Sequence, residues 1–162
     1  MQFGTHQAVG YRHTPVPVHR GDLRYVTVTT LMSRPVLAIA ERTVLQDALL
    51  ALVSGGVRHL AVVDADGRCV GMVTDRMLAA EWAYRPMAFA RHTVAMICHD
   101  EPPMIDRDAT VAAAAKVMRR CGSDAVVVAD PDLYPIGVLT SGDIIALLAK
   151  PDPERSGDHA RA

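Results

Sequence analysis

The chain has 162 residues, half of them hydrophobic, and a formal net charge of -1, enough for one well-buried domain or two small repeats sharing a core. That balance excludes a disordered chain and gives no sign of a nucleic-acid-binding composition. The longest apolar runs, such as 146–149, are too short to span a bilayer, and residues 1–20 lack the apolar segment of a signal peptide, so a cytoplasmic protein is expected.

Residues 1–26 show no sustained helical or strand period, and Pro15, Pro17, Gly4, Gly10 and Gly21 discourage a helix. They read as a flexible, mildly basic arm, solvated or reaching an anionic ligand or partner. From Thr27 the chain repeats itself. Thr27-Val28 matches Thr93-Val94 at an offset of 66 (93 − 27). Pro35, Thr43-Val44 and Ala48 match Pro102, Thr110-Val111 and Ala115 at 67, and Gly56, Asp64, Gly71 and Thr74 match Gly122, Asp130, Gly137 and Thr140 at 66 again. One residue inserted before the second helix and one extra near the end of the first account for the changes. A register kept over roughly fifty residues marks a true internal repeat.

In the first copy, a short helix or turn at 27–32 leads to an extended piece, 36–39. Thr43 is the expected N-cap of a helix whose apolar face carries Val44, Ala48, Leu49 and Leu52 and which ends at Gly55-Gly56. Strand 59–63, the turn Asp64-Ala65-Asp66-Gly67, strand 70–73 and helix 77–83 complete the unit. The second copy repeats it: Met104-Ile105, helix 110–120, strand 125–129, turn 131–134, strand 136–139 and helix 142–149. Residues 85–92 form a linker in which Pro86 stops the preceding helix, and the proline-interrupted polar segment 150–162 reads as a disordered tail. The expected organisation is an arm (1–26), repeat 1 (27–84), linker (85–92), repeat 2 (93–149) and tail. Each copy alone would expose a sheet face and the apolar sides of two helices, so the two should pack about a pseudo-two-fold axis as one α+β unit.

The ordered set of Thr43-Val44 and Thr110-Val111, GVRHLAVVDADGRCVGMVT and VVVADPDLYPIGVLTSGDI resembles a tandem of cystathionine β-synthase (CBS) domains, a Bateman module, over about residues 27–148. The resemblance implies two β-α-β-β-α repeats and a regulatory, non-enzymatic role. It also implies an adenosine-containing ligand such as AMP, ADP, ATP or S-adenosylmethionine in a cleft between the repeats, and a homodimer that signals to an effector protein. No covalent cofactor, membrane contact or nucleic-acid partner is expected. A ligand-free interaction or dimerisation module with decayed clefts is the alternative.

The site residues follow from local chemistry. Thr140, Ser141, Gly142 and Asp143 join a strand end to a helix start, where a hydroxyl and free backbone N–H groups favour a phosphate, and a carboxylate three residues on can accept ribose hydroxyls. The same Thr-x-x-Asp spacing also makes a helix capping box, and the position can serve both ends. The first copy has Thr74 but Met77 in place of the aspartate, so the two clefts should differ. Arg58 and His59, at a strand start where the resemblance implies a basic contact to phosphate, offer a forked cationic donor, or are simply a surface arginine and a half-buried histidine. Arg34 and Arg76 are weaker candidates of the same kind. Residues 36–39 and Met104-Ile105 would supply apolar and backbone contacts to adenine, with Ile105 a candidate site residue, although core packing explains them equally well. Trp82 and Tyr84 suit a helix–helix or dimer contact better than base stacking. No Cys-x-x-Cys, His-x-x-x-His or Walker-type loop occurs, and the odd number of cysteines (Cys69, Cys98, Cys121) suits reduced thiols.

Overall fold

The structure, a computed structural model, describes residues 23–98 and 102–149. Most of the expected arm and all of the expected tail lie outside these residues. Two units of the same order follow each other. The first runs α1 (Val28–Leu31), β1 (Ala38–Ala40), α2 (Leu45–Gly55), β2 (His59–Val63), β3 (Cys69–Thr74) and α3 (Asp75–Tyr84). The second opens with a 3-10 turn, Val94–Met96, and continues through β4 (Met104–Asp106), α4 (Val111–Cys121), β5 (Ala125–Ala129), β6 (Pro135–Thr140) and α5 (Ser141–Ala149). Each sheet has three strands, in the orders β1-β2-β3 and β4-β5-β6, the first pair parallel and the second antiparallel. The expected α+β class holds.

Local sequence explains the elements. On α2, Leu45, Ala48 and Leu52 are buried at helical spacing, and Val111, Ala114 and Met118 repeat this on α4. Gly56 (φ 61°) and Gly122 (φ 60°) stop both helices in the left-handed conformation that glycine adopts without a Cβ penalty. Along β2, Leu60 and Val62 face the helices while Ala61 faces the other sheet, and β5 divides Val126 and Val128 from Ala125 and Val127 in the same way. A third apolar layer, from Ala61, Cys69 and Met72 to Ala125 and Val127, therefore glues sheet to sheet.

The register corrects one expectation. Every element pair sits at an offset of 66, from Val28 and Val94 to Ala38 and Met104, Leu45 and Val111, and His59 and Ala125. Neither copy has an inserted residue. Thr43 is accordingly not a cap: the N-cap of α2 is Val44, which has no side-chain capping bond, and its counterpart is Thr110, whose hydroxyl accepts from Ala113 N–H at 3.2 Å. Matching Thr-Val to Thr-Val had slipped the alignment by one residue, because α2 lacks the cap that α4 has.

The repeats exchange their leading segments. Val28 and Leu31 of α1 bury into the core of the second repeat beside Val111, Ala114 and Leu139, while Val94 and Ile97 pack into that of the first beside Leu45, Leu60 and Val73. Val28 and Val94 are fully buried, each a contribution of about 1.5–3 kcal/mol on burial alone. Backbone bonds clip the exchange in matched pairs. Val28 N–H donates to Ala109 C=O (2.9 Å) and Val94 N–H to Thr43 C=O (2.8 Å); Val111 N–H donates to Val26 C=O (2.7 Å) and Leu45 N–H to His92 C=O (2.9 Å). Residues 23–26, read from the sequence as arm, belong to this docked segment, with Val26 buried against the second repeat. Gly137 and Gly71 make room for the exchanged chains. A Cβ at Gly137 would lie 2.5 Å from Met32 Sδ and 3.1 Å from the Ser33 carbonyl oxygen, and one at Gly71 would lie 3.0 Å from Cys98 Sγ.

Two stability measurements test this packing. Gly137→Ala is expected to cost about 1–3 kcal/mol in urea denaturation, the usual range for overpacking, because a backbone oxygen as well as a side chain blocks the new methyl. Leu133 holds φ 69° where the first hairpin has Gly67 at φ 83°. Leu133→Gly should therefore leave stability unchanged or raise it by up to about 1 kcal/mol, and a clear loss would contradict that account.

Candidate functional site

The exchange brings the end of β6 in one repeat against the β1 lead-in and β2 start of the other, and a cavity of about 440 Å³ opens between them. Thr140, Ser141 and Gly142 line one wall at the N-terminus of α5. Arg58 and His59 line another, and Val36, Leu37 and Val138 give it an apolar floor. The sequence reading had placed these groups in separate copies. Thr140, Ser141, Arg58 and His59 meet in one cleft because the sheets face each other.

Asp143 does not line this cavity but is tied to it through Thr140. Its Oδ2 accepts from Thr140 N–H and from Thr140 Oγ1–H, both at 2.8 Å, and Thr140 Oγ1 accepts from Asp143 N–H at 3.2 Å. This is a closed capping box, and it fixes the strand-to-helix corner. Ser141 N–H donates to Asp124 C=O at 2.8 Å, whereas the Gly142 amide, in the first turn, has no intrahelical acceptor. The corner therefore offers an N–H group, the Ser141 hydroxyl and the positive end of α5 to the cavity.

On the facing wall, His59 is nearly buried, its side chain 9% exposed, and its Nε2 lies 2.9 Å from Asp124 Oδ1. A carboxylate only accepts, so Nε2 carries the proton and the ring is oriented by Asp124. That hydrogen bond holds the Asp124 carboxyl below its ordinary range. Arg58 is more mobile in chemical terms. It is largely exposed, its Nε donates to Asp75 Oδ2 at 2.9 Å, and this bond raises the guanidinium above its ordinary value. A surface pair of this kind is worth little, so a ligand anion competes readily for Arg58. Asp124 escaped the sequence reading as a site residue, although its position 66 residues after Arg58 was the available signal.

A second cavity of about 600 Å³ occupies the pseudo-symmetric position. It is lined by Thr74, Arg76 and Met77 from the corner of β3 and α3, by Pro103, by Ser123 and Asp124, and again by Arg58, with Arg120 at its edge. Here the box is half made: Thr74 Oγ1 accepts from Met77 N–H at 3.2 Å, and no carboxylate answers. Ile105 lines neither cavity. Its side chain packs into the helix-side core of the second repeat, since alternation along β4 turns Ile105 to that side and Met104 to the layer between the sheets. Trp82 packs edge-on against Phe89 (5.2 Å, 89°), and neither it nor Tyr84 lines either cavity. Arg34 also lines neither.

Among the described residues, no cluster of three or more His, Cys, Asp or Glu could hold a metal ion, and no helix is long and apolar enough to cross a membrane. Burial pushes the Cys98 thiol up to about 11 and raises that of Cys69, which keeps both protonated at neutral pH.

Comparison with known proteins agrees with this architecture. A CBS domain-containing protein of Dictyostelium discoideum is 33% identical over 134 residues, covering 77% of this chain and 92% of that protein. The crystal structure of the CBS domain pair of protein MJ0100, in complex with 5′-methylthioadenosine and S-adenosyl-L-methionine, superposes with a TM-score of 0.69 at 24% identity. The match covers 76% of this chain and 95% of that one. The CBS domain protein TA0289 of Thermoplasma acidophilum gives the same TM-score at 19% identity, over 77% and 70% of the two chains. The CBS domain family model matches residues 28–83 and 94–150. With two such units interlocked through their leading segments, the chain belongs to the CBS domain family and is a CBS domain pair.

Proposed function

We propose that this CBS pair is a regulatory module that binds an adenosine-containing ligand in the 440 Å³ cleft and signals to a partner protein. The observation that carries this reading is the meeting, in one cavity, of the α5 corner (Thr140, Ser141, Gly142), the cationic Arg58, and the apolar Val36 and Leu37. A phosphate or other anion suits the helix start and the guanidinium, and a purine suits the apolar floor. Asp143 stands just behind the cavity lining; the capping box uses its Oδ2, which leaves Oδ1 as the oxygen for a ribose hydroxyl that reaches past Gly142. The MJ0100 domain pair, with its adenosyl ligands, supports the ligand class. The ligand acts by binding one packing of the repeats more tightly than another, and shifts that equilibrium only by the difference.

A second reading, a ligand-free interaction or dimerisation module, draws on exposed apolar residues of the helices: Leu50 and Val53 on α2, and Trp82 on α3, are 58%, 72% and 56% exposed. Such a face suits a second copy of the chain or an effector.

Thermal denaturation with AMP, ADP, ATP, S-adenosylmethionine, 5′-methylthioadenosine, NAD and cyclic di-AMP tests the first reading. At one hundred times its Kd, a true ligand stabilises by about 2.7 kcal/mol. Silence from the whole panel at millimolar concentration would leave the interaction module standing, and light scattering would then have to show a stable dimer. Within the responding case, Asp143→Ala should abolish the response and cost about 1 kcal/mol of cap stability. Arg58→Gln, outside the cap, should weaken the binding of a phosphate-bearing ligand by roughly tenfold or more while leaving the apoprotein as stable as before.

A further inference from the structure

The second cavity has a different chemistry from the first. Three arginines, Arg58, Arg76 and Arg120, are among its lining residues against a single acidic one, Asp124, whose carboxylate is already engaged by His59. Arg76 and Arg120 form no ion pair among the described residues, while Arg58 is held only by the exposed contact to Asp75. The Thr74 hydroxyl accepts from Met77 N–H and keeps its own proton uncommitted among the described residues, whereas the Thr140 hydroxyl proton is taken by Asp143. The α3 corner itself adds no free amide: Asp75 N–H donates to Arg58 C=O, and the next two amides are taken by Asp75 Oδ1 and Thr74 Oγ1. Anion affinity here is a matter of side chains, arginine forks above all.

We propose that this cavity is a second, separate site for a small phosphate-type polyanion that carries no nucleoside, of the class of pyrophosphate or a short polyphosphate chain. Met77 is the reason the ligand lacks a ribose. It stands at the position that Asp143 holds in the second repeat, and a thioether neither accepts two hydroxyl protons nor repels a polyanion. The three arginines line one cavity of about 600 Å³, room for several tetrahedral groups, and forked guanidiniums recognise such groups through paired charge-assisted bonds. Arg58 lines both cavities, so a polyanion that draws it into the second cleft removes it from the first. The two sites thus compete for one side chain. This last step rests on the reading of the first cleft given above, whereas the polyanion site itself does not.

Isothermal titration of the full chain with pyrophosphate and with tripolyphosphate tests the site directly. Binding is expected, and Arg76→Gln combined with Arg120→Gln should weaken it by roughly tenfold or more, while Arg107→Gln with Arg119→Gln, exposed arginines outside the cavity, should leave it unchanged. Met77→Asp, which places a carboxylate among the arginines, should weaken it as well. The proposal falls if neither anion binds, if the two paired variants behave alike, or if ADP binds at this site tenfold more tightly than pyrophosphate. Loss of pyrophosphate binding in the Arg76/Arg120 variant with an intact response to an adenosyl ligand would separate the two sites. A first cleft that answers to no ligand would leave the polyanion titration as decisive as before.

Discussion

Each half of this chain is completed by a piece of the other. Val28 and Val94 fill the bottoms of the opposite helix–sheet cores, and four matched backbone hydrogen bonds hold the exchanged segments at the starts of α2 and α4. Without the exchange, Val111 and Leu139 on one side, and Leu45 and Val73 on the other, would face water. The small third layer of Ala61, Met72, Ala125 and Val127 would be a weak glue on its own. The pseudo-symmetry, the facing sheets and the two clefts all depend on that interlock, because it fixes which strand ends stand opposite which.

The clefts then differ through a few side chains placed on nearly identical backbones. At one corner Thr140 and Asp143 close a full box; at the other Thr74 faces Met77 and the box stays half made. The strand-start position carries Arg58 in one copy and Asp124 in the other, so one wall is cationic and the other anionic. His59 ties the two copies together by its bond to Asp124. A repeated scaffold in this way carries two clefts of unequal lining on one fold.

Much of this was legible in the sequence. Glycine at the left-handed ends of both long helices, aspartates in both hairpin turns and the alternating strands placed nearly every element within a residue or two. The exchange itself was not legible, since the apolar residues of α1 and the 3-10 turn say that they are buried but not against which repeat. Thr43 misled because an identical Thr-Val pair outweighed the less visible correspondence of Val44 with Thr110. Ile105 misled because a three-residue strand offers too little alternation to tell its core face from its cleft face. The meeting of Arg58 with Thr140 needed the third dimension: they lie 82 positions apart (140 − 58) and converge only once the sheets face each other. The box at Thr140 was foreseen as a rival to ligand binding, and the geometry closes it, with one oxygen of Asp143 accepting both bonds from Thr140.

The interlock also has a consequence for how the molecule is made. A ribosome releases the chain from its N-terminus, so α1 emerges before α4 and β6, the elements it packs on, and the last of them follows more than a hundred residues later. The first repeat, for its part, has its sheet and both helices by Tyr84 but lacks its plug until Val94 is out. Neither half can finish during the synthesis of its own residues. The contacts that complete the two cores are long-range ones, and such contacts are the slowest to close.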